Sequence, residues 1–303
     1  MLFRSLKGKR ISSGQVAFVL APRINAAGRM GNAEQGLRLL LSRDRQEAVA
    51  IAGSLEEDND ERRKKDEKAL VEAERRVTEE LAYPDCSSIL LWSDTWHPGV
   101  IGIVASRLVE RFQRPAVLVA LDGERGRGSG RSLPGLDLTQ LLDGCHDLLI
   151  AHGGHAFAAG LTVERSRLPE LRERLEKLAR EQFQPDQFTT QLELDTDLRV
   201  ADCNEELVEW LERMTPFGLD NPEPVFHLQN AQIESVSTVG AGKHVRFTVR
   251  EGSASVEAIG FGMGDLKPRL DALRRADLAF VPTLNTWNGQ QRVQLKLKGV
   301  RFP

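Results

Sequence analysis

The sequence of 303 residues is poor in features that would each define a class of protein. Its three cysteines, Cys86, Cys145 and Cys203, lie far apart, which argues against a disulfide framework or a zinc ribbon and indicates a reducing compartment. No apolar run approaches the roughly 18 residues that span a bilayer. The segment from Met1 to Arg10 lacks the apolar core of a signal peptide. We therefore expect a cytoplasmic protein with no membrane partner.

An excess of positive charge is also absent. The net charge of -3 gives no global field that would attract a polyanion, so any such site must be local. Two stretches are basic: the first 33 residues hold six basic and no acidic residues, and residues 107–131 hold six arginines against three acidic residues. Such stretches are typical of a nucleic-acid groove, although a solvated surface gives the same composition.

The hydrophobic pattern predicts two domains of different class. Strands and helices alternate between Ser88 and Gln182, which favours an α/β domain with a mostly buried sheet. The segment Gln184-Pro185-Asp186 marks a boundary, and the short strands beyond it suit a small barrel of the oligonucleotide-binding (OB) type. The predicted strands are 89–92, 116–121, 161–163, 191–194, 225–228, 244–249, 256–261, 278–284 and 291–297, and the predicted helices are 100–112, 138–150, 168–182 and 205–214.

A long helix is predicted ahead of these domains. A short helix at 33–41 is followed by a cap at Ser42 or Asp44 and then by apolar residues at helical spacing as far as Pro84. Its middle, 56–68, has no apolar residue, and helices that are polar all round often bridge domains through solvent. We interpret it as a connecting helix; a surface helix of one domain is the alternative. Residues 1–32 do not resemble a self-sufficient fold.

The run from Ala151 to Gly160 contains the most informative motif, Gly153-Gly154-His155. Adjacent glycines let the backbone turn its amides toward an anion, which a Cβ at either position would hinder. Nearby, the glycine-rich stretch from Arg125 to Ser132, interpreted as a loop, offers phosphate donors on Arg127, Ser129, Arg131 and Ser132. Together these segments predict a phosphate pocket; alone, the second would be a mobile surface loop.

Two further motifs carry candidate anion ligands. In Trp96-His97-Pro98-Gly99-Val100-Ile101-Gly102, a strand gives way to a helix whose first amides attract anions. His97 could bind phosphate there, or it could cap the turn. The segment from Arg23 to Arg29 places two arginines around Asn25 and small residues, so that a ligand could approach closely. An ordinary arginine-bearing loop that caps a helix is the alternative.

Other candidates have structural explanations. Asp143, His146 and Asp147 fall within about one helical turn, but we interpret them as a solvated helix face rather than metal ligands. In the last domain Trp287 lies in a hairpin-like turn and could stack on a base, while Phe247 and Phe261 are expected in the barrel core. The basic residues that could follow a nucleic-acid backbone are Lys243, Arg246, Arg292, Lys296 and Lys298.

The combined motifs resemble the RecJ family of single-stranded-DNA-specific exonucleases, within the DHH phosphoesterase superfamily. The resemblance runs in order along the chain and includes two further segments of the last domain, 215–224 and 285–289. It implies a remnant of the DHH domain at 1–42, a connecting helix at 43–84, a DHH-associated α/β domain at 85–184 and an OB-like domain at 185–303.

One family feature is missing from the sequence. The family holds two divalent cations in an N-terminal domain that includes an Asp-His-His triplet, and this chain contains no such triplet. The resemblance therefore implies the C-terminal, DNA-holding part of a 5′-to-3′ exonuclease of DNA repair and recombination. Manganese or magnesium would serve the intact enzyme through ligands outside this chain, which would be inactive alone and hold no catalytic residue.

The resemblance also implies roles for individual residues. Contacts to the terminal or scissile phosphate of single-stranded DNA are expected from Asn25, Arg29, His97, Arg127, Ser129, Arg131, Ser132, Gly153, Gly154 and His155. His155 would be a phosphate ligand rather than a general base, because the metals would activate water. A helicase and a single-strand-binding protein are candidate partners. A small-substrate phosphoesterase with a relocated metal site and a noncatalytic binding module remain the alternatives.

Overall fold

The computed structural model describes residues 11, 13–182, 192–218, 220–287 and 290–303. The chain divides into two compact units, residues 1–190 and 191–303, each with its own hydrophobic core. The boundary predicted at 184–186 lies outside the described residues. Within the described part of the chain, no helix is long and apolar enough to cross a membrane.

The first unit begins with helices. They are α1 (Ser13–Gln15), a π-helical turn (Val16–Leu20), α2 (Ala21–Met30), α3 (Ala33–Leu41) and α4 (Arg45–Glu80). The short helix at 33–41 is confirmed, and the side chain of Asp44 caps α4 by accepting a hydrogen bond from the Gln46 amide at 2.8 Å. The arginine-bearing segment 23–29, for which a loop that caps a helix was the alternative, is itself part of helix α2.

The polar middle of α4 is not solvated on all sides. Asn59, Arg62 and Asp66 recur at helical spacing and are buried, so one face of this stretch packs against protein. Both α2 and α5 (Ile101–Phe112) contact α4. The expectation of a helix bridging through solvent is wrong for this face, because charged residues bury themselves here by pairing with one another.

A mixed five-stranded sheet forms the centre of the first unit. Its strand order is β1-β2-β3-β5-β4, with β1 and β2 parallel and the other pairs antiparallel. The strands are β1 (Ile89–Ser93), β2 (Ala116–Asp122), β3 (Arg125–Arg131), β4 (Leu149–His155) and β5 (Ala158–Glu164). Besides α5, the helices are α6 (Leu138–Asp143), α7 (Leu168–Gln182) and 3-10 turns at His146–Leu148 and Arg165–Arg167.

The glycine-rich stretch at 125–132 is mostly a strand rather than a loop. In β3 the glycines alternate with polar residues, and a Cβ at Gly126, Gly128 or Gly130 would come within 2.4–2.7 Å of a valine or leucine side chain. The core therefore closes directly onto the backbone of β3. A half-buried strand is normally identified in a sequence by apolar residues at every second position. β3 lacks this pattern because its core-facing positions are glycines.

The helix predicted at 138–150 is wrong in its second half. α6 ends at Asp143, where Gly144 follows, and the chain enters β4 at Leu149. The Gly153-Gly154-His155 motif consequently lies in an edge strand and not in a turn after a helix. Apolar residues of a short helix and of a partly buried strand gave one continuous pattern that periodicity alone could not divide.

The second unit is a closed five-stranded barrel. Its strands pair in the order β7-β8-β9-β11-β10, β10 returns to β7, and β6 adds to β7. The strands are β6 (Thr196–Asp197), β7 (Phe226–Val239), β8 (His244–Glu251), β9 (Ala254–Gly260), β10 (Arg275–Trp287) and β11 (Gln290–Arg301). The helices are α8 (Glu205–Arg213), α9 (Lys267–Leu273) and 3-10 turns at Val200–Asp202 and Gly264–Leu266.

Three expectations for this unit change. Residues 192–194 form no strand; the first strand is the short β6. The helix α9 was not predicted. Phe247 is a core residue as expected, but Phe261 is 54% exposed, because it falls just after β9 where the alternation of the strand no longer applies.

Candidate phosphate-binding site

One face of the sheet in the first unit brings the predicted motifs together. Across the antiparallel strands, Arg131 of β3 aligns with Ala158 and then His155, and Ser129 aligns with Gly160 and then Gly153. Side chains alternate between faces along a strand, so Ser129 and Arg131 lie opposite the core-facing Gly130. The result is a patch of bare backbone bordered by a hydroxyl, a guanidinium and an imidazole.

The two adjacent glycines differ in what they require. A Cβ on Gly154 would lie 2.3 Å from the Ala158 carbonyl oxygen, whereas a Cβ on Gly153 would meet nothing within 4 Å. The geometry therefore excludes a side chain at Gly154 and leaves space for one at Gly153, although the sequence treated the two glycines alike. Gly153 is exposed beside Gly160, where its missing side chain leaves the backbone open.

The beginning of α5 lies against the same patch. The ideal Cβ position of Gly102 is 2.9 Å from both the Ser129 hydroxyl and Nη2 of Arg131. A side chain larger than hydrogen at this position would push the two donors away from the first turn of the helix. Because the first amides of a helix carry partial positive charge, a hydroxyl, a guanidinium and a helix N-terminus converge here.

Arg131 is a half-buried cation without a carboxylate partner in the described ranges. Its Nη1 donates to the Ser129 hydroxyl at 3.1 Å and to the Gly130 carbonyl at 2.6 Å. Burial, and then the nearby charge of Arg29, lower the pKa of Arg131. A guanidinium stays protonated in proteins, so this site holds a positive charge that an anion would neutralise.

Arg29 reaches this region from α2. Asn25 and Arg29 are one helical turn apart and both exposed, so they share a face. The end of α2 packs against the turn before α5, where a Cβ on Gly99 would lie 2.2 Å from the Arg29 carbonyl oxygen. The other arginine of the motif, Arg23, is buried and forms an ion pair with Glu56, so it anchors the helix.

His97 caps the turn between β1 and α5. Its Nδ1 accepts a hydrogen bond from the Gly99 amide at 3.0 Å, which requires that nitrogen to be unprotonated. Burial, followed by the charge of Lys65, lowers the pKa of His97 from 6.5, while Glu61 opposes the shift. His97 is thus neutral at physiological pH, and the geometry favours the turn-capping alternative over a direct charge contact with phosphate.

The remaining predicted residues divide into two groups. Arg127 and His155 are exposed on the face of the sheet that carries Ser129 and Arg131. Nδ1 of His155 accepts a hydrogen bond from the Phe157 amide at 3.3 Å. Ser132 follows β3, and its hydroxyl donates to the Leu136 carbonyl at 3.1 Å. Ser132 therefore stabilises the next turn, and we leave it out of the proposed contacts.

The described residues do not supply a donor set for a divalent metal. No group of three or more His, Cys, Asp or Glu side chains among them is placed to hold an ion. Asp143 pairs with His152, and Asp147 pairs with Arg174, so these carboxylates serve local ion pairs. The cations of the resemblance do not fit the part of the chain that the structure describes.

The barrel unit has an open groove of about 960 Å³. Its wall includes Phe261, whose ring lies edge-on to His244, together with the exposed Arg246 and Arg292. Trp287 ends β10, but its side chain lies outside the described residues. The wall of the groove also holds Glu205 and Glu257, and Arg246 lies 3.8 Å from the Glu257 carboxylate. An exposed aromatic ring in a groove with basic side chains is the combination that single-strand binding uses.

The sequence did not reveal the polar residues beneath the first site. The buried Arg62 and Asp66 of α4 form an ion cluster with the exposed Arg107 of α5. The available signal was the spacing of Arg62 and Asp66 by four residues within a stretch that lacks apolar side chains, but the same spacing is common on exposed helices.

Family models identify the class of both units. A DHHA1 domain matches residues 84–181, and a RecJ OB domain matches residues 194–299. The protein thus combines a DHH-associated domain with an OB domain. These matches, with the similarity to RecJ proteins along nearly the whole chain, show that the chain corresponds to the DHHA1 and OB region of RecJ-family proteins.

Similar proteins agree along nearly the whole chain. The single-stranded-DNA-specific exonuclease RecJ of Bacillus subtilis is 37% identical over 93% of this chain and 36% of its own length, and that of Thermus thermophilus is 35% identical over 95% and 40%. The crystal structure of Thermus thermophilus RecJ with Mg²⁺ matches with a TM-score of 0.85 and 34% identity over 100% of this chain and 46% of that one. The chain corresponds to the DHHA1 and OB region of these proteins and spans less than half of their length.

Proposed function

We propose that this chain holds the substrate of a 5′-to-3′ exonuclease that digests single-stranded DNA in repair and recombination. The observation that carries the proposal is Arg131, a half-buried guanidinium without a carboxylate partner in the described ranges, close to Arg29 and to the start of α5. The relatives that match nearly the whole chain are single-stranded-DNA-specific exonucleases by name.

The ligand that suits the first unit is the phosphate at the 5′ end of the strand. A terminal phosphate carries more negative charge than a diester and offers three oxygens to Arg131, Ser129 and Arg29. The bare backbone at Gly153 and Gly160 leaves room for the sugar-phosphate chain, with Asn25, Arg127 and His155 at its border. Gly154 shapes this surface without a direct contact.

The barrel would hold the strand further from its end. Phe261 is proposed as a stacking platform beside Arg246, in the groove whose described walls are mostly polar. Trp287 remains a second candidate for base stacking. Stacking accepts any base, whereas phosphate contacts make binding depend on salt, so we expect binding without sequence preference that weakens as salt rises.

Divalent metal belongs to the reaction and not to the described residues. Structures of Thermus thermophilus RecJ contain Mg²⁺ or Mn²⁺, which supports a divalent cofactor for the exonuclease. When bound, such ions supply Lewis-acid activation of water and of the phosphodiester. The residues described here bind and orient the strand. The cytoplasmic location and the helicase and single-strand-binding partners remain predictions.

The four-part domain division is also a proposal. It assigns 1–42 to the DHH tail, 43–84 to the connecting helix, 85–184 to the DHH-associated domain and 185–303 to the OB-like domain. The division of the chain after residue 190 and the family matches at 84–181 and 194–299 support its outline.

Replacing Arg131 tests the phosphate site. We expect the intact chain to bind a 5′-phosphorylated oligonucleotide more tightly than its 5′-hydroxyl counterpart, and Arg131→Met to abolish this preference because a charge-assisted contact is lost. Fluorescence anisotropy with both oligonucleotides measures the ratio of dissociation constants. Arg125→Met removes the same charge from the other end of β3 and should leave the ratio unchanged. Equal ratios for Arg131→Met and the unmodified chain would contradict the assignment.

A further inference from the structure

Carboxylates along α4 hold the motifs of the proposed site. Near the start of the helix, Glu56 binds Arg23 of α2 through two contacts of 2.6 and 2.9 Å. Further along, Glu72 accepts a hydrogen bond of 3.0 Å from the Trp96 indole, next to His97. Glu56 thus holds α2, which carries Arg29, against α4, and Glu72 holds the turn before α5 there. Asp66 lies between these two carboxylates.

Asp66 differs from Glu56 and Glu72 because it is buried and lies close to two arginines. It is 2% exposed, and its Oδ2 lies 3.2 Å from Nη2 of Arg107 and 3.6 Å from Nη1 of Arg62. Arg62 is 9% exposed and donates from Nη2 to Asn59 at 3.2 Å. The cluster thus joins α4 to α5 through one carboxylate and two guanidiniums.

This ion cluster contributes little to the stability of the fold, because it leaves buried polar atoms without hydrogen bonds. Among the described residues, Nε of Arg62 and Oδ1 of Asp66 are buried without a hydrogen-bond partner. Burial raises the pKa of Asp66, and the charges of Arg107, Arg62 and Arg29 oppose that rise. Buried ion clusters with unsatisfied atoms are weak contributors to stability, since well-packed apolar residues often do as well.

Arg29 connects this cluster to the phosphate site. Its helix, α2, packs against α4, and its Nη1 lies 3.5 Å from the Gly99 carbonyl oxygen, just before α5. From there its charge lowers the pKa of Arg62 and Arg131 and opposes the rise in the pKa of Asp66. Without a buried negative charge, the guanidiniums of Arg29, Arg62 and Arg107 would repel one another where α2, α4 and α5 meet. Arg29 is exposed, unlike the buried Arg62, so its side chain has room to move away from the added positive charge.

We propose that Asp66 is a positioning residue, a buried counter-charge that holds Arg62 and Arg107 against α4 and so keeps Arg29 directed at the terminal phosphate. It acts through these guanidiniums and does not contact the phosphate. The inference rests on the proposed function and adds a residue that the motifs of the sequence do not contain. α4 then sets the geometry of the site as well as linking its parts.

Asp66→Asn in the full chain tests this role, because it keeps the shape of the side chain and removes its charge. We expect the preference for 5′-phosphorylated over 5′-hydroxyl oligonucleotide to fall by about fivefold or more, within the range of coupling between neighbouring charged residues. Glu67→Gln, the next residue and exposed, loses the same charge and should keep the preference of the unmodified chain. If Asp66→Asn does not fold, Arg107→Gln breaks the same ion pair from the exposed side. The buried Asp66 then lacks part of its counter-charge and attracts Arg29 away from the phosphate, so the preference should fall as well.

A double-mutant cycle separates positioning from general weakening. Because Asp66 acts through Arg29, Asp66→Asn should cause no further loss of preference in an Arg29→Met background. An additive loss there, or an unchanged preference in Asp66→Asn or its Arg107→Gln substitute, would overturn the inference. If the unmodified chain shows no phosphate preference at all, the proposed function itself fails. A preference that Arg131→Met abolishes but Asp66→Asn preserves would refute only the role of Asp66.

Discussion

Adjacent glycines in this protein have different structural roles, which their positions in the sequence do not indicate. The sequence singled out Gly153 and Gly154 as a pair, yet only Gly154 lies where a Cβ would meet the backbone of β5. The distinction depends on register between β4 and β5, which no local pattern contains. Gly102 was part of a predicted motif, but its packing against Ser129 and Arg131 was not predicted, because these partners on β3 are distant in sequence.

Alanine substitutions separate the two adjacent glycines. Gly154→Ala should lower the free energy of unfolding by about 1–3 kcal/mol, because the added methyl group overlaps the Ala158 carbonyl and the strands must part. Gly153→Ala adds the same group in open space and should change it by less than about 0.5 kcal/mol. Chemical denaturation of both variants measures the difference. Equal destabilisation would show that the two strands do not pair in the register described.

Among site residues, the sequence predicted chemistry better than contact. Ser129 and Arg131 lie together against Gly102, and the charge of Arg29 acts on Arg131, although the motifs that carry these residues are far apart in sequence. Ser132 and His97 could also bind phosphate, but each forms a hydrogen bond with the backbone of its own turn. A hydroxyl or imidazole near a turn can bond its own backbone, and that competition is decided by geometry rather than residue type.

Helices and strands were predicted well where apolar residues recur at the period of the element and pack into a core. The helix α7 and the buried strand β2 match their patterns because both carry apolar side chains at the expected period. β3 was not predicted as a strand, because glycines occupy its core-facing positions. The helix predicted at 138–150 was wrong in its second half, because β4 follows α6 with a similar apolar content. The polar stretch of α4 was identified as helix but not as partly buried.

The attachment of α2 to α4 should respond to acid. Arg23 holds the pKa of Glu56 below its ordinary 4.5, so the ion pair stabilises the fold above that pH and its contribution is lost as pH falls through the lowered pKa. Glu56→Gln should cost about 1–3 kcal/mol at neutral pH, because the buried Arg23 loses a charged partner. Its unfolding free energy should also fall less steeply below pH 4.5 than that of the unmodified chain.

Thermal unfolding across this pH range measures the effect. Glu57→Gln is a matched control, since it removes the same charge from an exposed position one residue along α4. A Glu57→Gln profile that resembles that of Glu56→Gln would mean that general charge, rather than the ion pair, sets the response.

At the scale of the whole molecule, each unit offers a different kind of contact. The first concentrates positive charge beside bare backbone, and the second presents an exposed aromatic ring in a groove. The division into an α/β unit and an OB-like barrel followed from the change of hydrophobic rhythm along the chain. The closure of the barrel through β7 and β10 did not, because pairing between strands distant in sequence leaves no local trace.

We propose that the first unit binds the 5′-terminal phosphate of a single strand. Phosphorus NMR of a 5′-phosphorylated oligonucleotide tests it directly, because the terminal monoester resonates apart from the diesters. On addition of the full chain, we expect the terminal resonance to shift, and Arg131→Met to remove that shift while the diester resonances still respond. A terminal resonance that stays in place while the diesters shift would contradict the claim.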